Sequence, residues 1–115
     1  MFQSLPAGPE IEALVASARA GEREAFAALY QRFGPAVKGY LRYAAGRDAA
    51  EDLSQDTFCL AWRYIHTLRE PARFGPWLMQ IARNVFRRWL RGSSFSPEPV
   101  GDLEVLADQL PGGWA

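Results

Sequence analysis

The stretch AEDLSQDTFCLAWRYI, residues 50–65, decides the fold. Wound as a helix at about 100° per residue, it sorts into two faces. Leu53, Thr57, Leu60, Ala61, Tyr64 and Ile65 gather on one, while Asp52, Gln55, Asp56, Cys59 and Arg63 gather on the other. The apolar face is core, so residues 49–65 are predicted to form a helix buried along one side. Asp48 is positioned as its N-cap, and Glu51 three residues later completes an Asp version of the capping box.

Working outward, the same periodicity recurs and no alternating strand pattern appears. The first helix is predicted to begin near Pro9, which suits a first helical turn, and to run through EIEALVASARA to Gly21. A second begins beyond that glycine, with Ala25, Phe26, Leu29, Tyr30 and Phe33 on one face. Gly34-Pro35 interrupts it, and residues 36–45 are read as a kinked continuation. Downstream of the deciding stretch, HTLREPAR at 66–73 is a loop marked by Pro71. FGPWLMQIARNVFRRWLR at 74–91 is then the last helix, stopped by Gly92. The expected fold class is all-α: a compact bundle of about four helices with an extended C-terminal tail. Residues 1–91 form the predicted domain and 92–115 an acidic linker or tail, in which DLEVLADQL has the composition of one short helix.

Composition sets the outer limits. With 115 residues, 49% of them hydrophobic, the chain can bury one core and not two. It has no apolar run of roughly 18 residues and its start lacks the layout of a secretory signal, so a cytoplasmic location is expected. A lone Cys59 and a lone His66 supply neither an internal disulfide nor a set of soft ligands, so neither a metal nor a cofactor is expected.

The formal charge of zero conceals an asymmetry. Residues 1–59 carry six basic and eight acidic side chains, residues 60–91 carry seven arginines against Glu70, and residues 92–115 carry four acids and no base. An anionic partner would meet the middle block, although a cationic helix can also be a merely solvated face.

On the last helix Leu78, Ile81, Ala82, Val85, Phe86 and Trp89 form the predicted buried stripe. Trp77, Gln80, Asn84, Arg87, Arg88 and Arg91 lie opposite, with Arg83 at the edge. Arginines neutralise phosphates, an amide reads a base edge and an aromatic ring stacks on an unpaired base, so this mixture suggests single-stranded or melted DNA more than an intact duplex. The competing reading packs Trp77 into the core and leaves the arginines to solvate the helix. Asp52, Gln55 and Asp56, flanked by Trp62, form a compact patch that suits a basic protein partner, or simply a solvated face near a helix start. No histidine, metal ligand or nucleophile stands near those carboxylates in the sequence, and no phosphate-cradling glycine loop exists, so catalysis is not expected.

These ordered residues resemble a known family. AEDLSQDTFCLAWRYI, a loop of eight, and FGPWLMQIARNVFRRWLR, preceded by GEREAFAALYQRFGPAVKGYLR, are similar to region two of the extracytoplasmic-function (ECF) sigma factors of bacterial RNA polymerase. The resemblance covers about residues 10–91. It implies a domain that binds polymerase core and recognises and melts the promoter minus-ten element to initiate transcription. Asp52, Gln55, Asp56 and Trp62 would then meet the clamp helices of the beta-prime subunit. The 66–73 loop, with Leu68, Arg69 and Arg73, would capture a flipped base of the non-template strand. Asn84 would contact base or backbone near that pocket, Arg83, Arg87, Arg88 and Arg91 would hold the DNA backbone, and Trp77 would stack on a base or support the loop from beneath. An anti-sigma factor is implied as a further partner, and the family's second domain, which reads the minus-35 element, is expected to be absent from this chain. Two other readings compete: a helical module or decoy that binds polymerase or an anti-sigma factor without reading DNA, and a helix-turn-helix duplex binder. The second is disfavoured by the bulky Trp77 and Trp89 on the basic helix.

Overall fold

The computed structural model describes residues 5–92, and its described secondary structure is helical throughout. Helix α1 spans Pro9–Arg19, α2 Arg23–Ala45, α3 Arg47–Tyr64 and α4 Phe74–Leu90. Between α3 and α4 lie two single 3₁₀ turns, Ile65–Thr67 and Pro71–Arg73. The expected tail and its short helix fall outside the described residues.

Helix α2 is the centre of the bundle and touches each of the other three helices. Its stripe Leu29, Phe33, Val37 and Leu41 is completely buried, which follows from apolar residues repeating every three or four positions. The helix runs unbroken through Gly34-Pro35. Pro35 lies on the exposed side, where water can serve the carbonyl that its missing N–H leaves unbonded. Against this stripe pack Ile11, Val15 and Ala18 of α1, Leu53, Thr57, Leu60 and Ala61 of α3, and Phe74, Leu78, Ile81 and Val85 of α4. Phe33 and Phe74 meet edge to face with ring centres 5.1 Å apart. Thr57 is buried at no polar cost, because its hydroxyl donates to the Leu53 carbonyl one turn back at 2.8 Å.

Two glycines fix the geometry. Gly46 has φ +93° and is the sole residue between α2 and α3; its N–H donates to the Arg42 carbonyl and its own carbonyl accepts from the Ala50 N–H. Only glycine adopts that conformation cheaply, so the helix begins there and not after Asp48. This corrects the expected capping box: Asp48 lies inside the first turn, where the helix dipole favours its charge, and it makes no capping hydrogen bond. Gly75 opens α4, where an added Cβ would come within 3.1 Å of Leu5 and 3.4 Å of Phe33. A side chain there would meet Phe33 at ordinary contact distance and would need the end of the Leu5 side chain to give way by a few tenths of an ångström.

Candidate promoter and polymerase interface

Helix α4 presents two unlike surfaces. Phe74, Trp77, Leu78, Ile81, Ala82 and Val85 are buried, whereas Arg83, Arg87 and Arg91 are exposed at successive steps of four residues. None of these three forms an ion pair among the described residues. Arg88 is half-buried and so lies at the margin of this row. Asn84 is also half-buried, and its amide donates to the Gln80 carbonyl at 2.9 Å, leaving its side-chain oxygen for other contacts.

The wheel reading of this helix needs two corrections. Trp77, expected on the outward face, is 2% exposed and packs against Phe74 with ring centres 5.8 Å apart. It offers no free ring to a base, and it belongs to the core beside the loop. Trp89, expected in the buried stripe, is 42% exposed, because it stands in the last turn beyond most of the packed core.

The loop ahead of α4 folds back on the bundle. Leu68, expected to meet DNA, is 1% exposed and plugs the core with its side chain. Arg69, Glu70 and Arg73 remain outside, and the Glu70 carboxylate holds the Arg73 guanidinium at 3.3 Å across three residues. The loop is therefore pinned at its centre and charged at its rim. Thr67 ties the first turn by donating to the Tyr64 carbonyl at 2.6 Å.

On α3, Asp52 and Gln55 are exposed and Asp56 is half-buried. The Asp56 carboxyl is pushed above the usual carboxylate range, first by burial, which disfavours its anion, and second by the charge of Asp52 one turn back. Beside this patch Trp62 is half-buried and leans on Phe26 of α2 with ring centres 5.1 Å apart. Phe26, Tyr30, Phe58 and Trp62 line an open groove of about 480 Å³, with Gln55 and Cys59 at its edge. The sequence reading placed Phe26 and Tyr30 on the apolar face of their helix and left Phe58 unassigned. The signal for the groove was present in the spacing, since both helices carry an aromatic pair four residues apart.

A family model described as Sigma-70 region 2 matches residues 29–95. The chain belongs to the sigma-70 region 2 family. Among its relatives, the ECF RNA polymerase sigma factor BldN of Streptomyces coelicolor is 42% identical over 87 residues, an alignment that covers 74% of this chain and 33% of BldN. RNA polymerase sigma factor NccH of Alcaligenes xylosoxydans xylosoxydans is 33% identical over 107 residues, covering 88% of this chain and 57% of NccH. RNA polymerase sigma factor CarQ of Myxococcus xanthus is 42% identical over 74 residues, covering 64% of this chain and 42% of CarQ. The chain thus spans little more than half the length of these relatives at most. No solved structure matches it. The region-two domain is of the ECF kind, as the two ordered sequence cores implied. No described helix is long and apolar enough to cross a membrane.

Proposed function

We propose that this chain is the polymerase-binding and promoter-reading part of an ECF sigma factor. It docks on RNA polymerase core through Asp52, Gln55, Asp56 and Trp62, against the clamp helices of the beta-prime subunit. It captures the non-template strand of the minus-ten element with the exposed rim of the 66–73 loop and the arginine face of α4. The observation that carries this reading is the arginine row Arg83, Arg87 and Arg91, exposed on the one helix whose start abuts the loop. Such a row follows a phosphate backbone and releases its counterions. Flipping a base costs a few kcal/mol, least at easily unstacked A·T-rich steps, so capture of the extruded base drives melting without catalysis by the domain. Leu68 and Trp77 act beneath the loop, and Arg69 and Arg73 are its contact residues.

The α3 patch supports the docking half. An aspartate kept half-buried beside a second aspartate is electrostatically strained in the free domain, and a basic partner relieves that strain. An anti-sigma factor that covered either surface would silence the domain. Such a domain works where the polymerase works, in the cytoplasm, with residues 1–91 as its folded unit and the acidic 92–115 segment as a linker.

The test is pull-down of the isolated polymerase clamp-helix fragment by this chain. Wild type and Asn84→Ala are expected to bind and Asp56→Arg is not. Failure of the wild type to bind removes the sigma reading's central support.

A further inference from the structure

The loop proposed to take the flipped base is held by a residue of α1 to which no role has yet been given. Arg19 ends α1, and one of its terminal guanidinium nitrogens donates to the carbonyl oxygens of both Leu68 and Arg69 at 2.8 Å each. Those carbonyls belong to the two residues that follow the first 3₁₀ turn; the Leu68 backbone is extended there, and its N–H closes that turn by donating to the Ile65 carbonyl at 3.0 Å. Helix α1 also packs against both 3₁₀ turns.

We infer that Arg19 is a positioning residue for base selection: its guanidinium fixes the backbone of Leu68 and Arg69, and thereby the shape of the base-capturing rim. The inference rests on the promoter-reading role proposed above. Three constraints meet at this point of the chain. The Leu68 side chain is buried in the core, its carbonyl and the next are held by one guanidinium, and the Arg69 side chain is left exposed. A hydrogen bond from a charged donor is about twice as strong as a neutral one, and a single nitrogen bridging two successive carbonyls fixes their mutual orientation. Side chains at 69, 70 and 73 can then vary in what they read while the frame that presents them stays the same. Arg19 itself touches no base, so its loss should blur discrimination more than it weakens overall attraction to DNA, which the arginine row of α4 provides.

The experiment uses the full chain bound to polymerase core and a pool of single-stranded oligonucleotides of randomised sequence. Bound strands are selected and sequenced for wild type, Arg19→Ala and Arg19→Lys, with thermal melting of each chain alongside. Wild type is expected to enrich one base strongly at one position. Arg19→Ala should lower that enrichment about tenfold while total strand binding changes less than about twofold. Arg19→Lys, which keeps a cation able to donate to both carbonyls, should recover part of the preference at a melting temperature similar to that of Arg19→Ala. Full preference in Arg19→Ala overturns the positioning role and leaves the loop reading intact. Loss of preference only in proportion to a fall in melting temperature, unrescued by lysine, overturns it in favour of a merely structural bond. A wild-type chain that enriches no sequence overturns the promoter reading and the role of Arg19 with it.

Discussion

Replacing Asp56 by Asn separates what α3 does for the fold from what it does for a partner. Asp56 stands in the middle of α3, too far from the N-terminus for the helix dipole to reward its charge. Its carboxyl sits above the usual carboxylate range because it is half-buried and because Asp52 lies one turn away. A raised acid holds its proton to higher pH in the folded than in the unfolded chain. Ionised Asp56 therefore costs stability at neutral pH, and the cost disappears as pH falls through the raised folded value toward the ordinary one. Like charges four residues apart on a helix cost about 0.2–0.5 kcal/mol. Water reaches much of this side chain and screens the burial component, so the whole effect is about 0.5 kcal/mol. In a domain of this size that corresponds to about 2–4 °C in melting temperature.

Asp56→Asn is thus expected to melt higher than wild type by that amount at neutral pH, with the two curves converging on acidification as the wild-type carboxyl takes up its proton. Calorimetry across the carboxylate range checks this. The same substitution should weaken capture by the clamp-helix fragment at least about tenfold if the negative charge faces a desolvated basic partner. A variant that melts lower than wild type at neutral pH, or a gap that widens on acidification, refutes the reasoning, because it would mean that the carboxylate holds the fold together.

Trp77→Ala should cost about 3–5 kcal/mol in urea unfolding and Trp89→Ala less than about 1 kcal/mol, the difference following from 2% against 42% exposure. Equal costs would contradict the placement of Trp77 in the core. Ser54 is 1% exposed and its hydroxyl has no hydrogen-bond partner among the described residues, so Ser54→Ala should be neutral or stabilise by up to about 1 kcal/mol. A clear loss of stability in the same urea titration would show that the hydroxyl is satisfied.

The helices were legible because each carries its apolar residues at helical spacing over three or more turns, and the α3 and α4 boundaries fall within two residues of the expected ones. The misplaced residues have separate causes. A helical wheel sorts a helix into two sides, but Trp77 in the first turns of α4 is buried against Phe74 all the same. Trp77 was read as outward because the wheel counts only its own helix, and Leu68 as a DNA contact because a loop residue is assumed to face solvent. Trp89 fails in the opposite sense: the periodicity continues to the end of α4 after much of the bundle has stopped covering it. The start of α3 was misjudged because Asp48 looked like a cap, while the positive φ available to Gly46 already turned the chain two residues earlier. Arg19 left no trace in the sequence, since its partners are backbone carbonyls some fifty residues away.

Net charge gives a last step. The chain is neutral in total, yet its described arginine row and acidic patch stand on different helices, so each partner meets a local field of opposite sign. A neutral total limits the long-range, sequence-independent attraction that a uniformly basic domain has for any DNA. Phosphate contacts from three exposed arginines can orient a strand but cannot tell one base from another. In the proposed function, discrimination must therefore come from the rim of the loop, and a loop of eight residues discriminates only if its backbone is fixed. Leu68 fixes it from below and Arg19 from the side, which makes the first helix part of how this domain would choose its promoter.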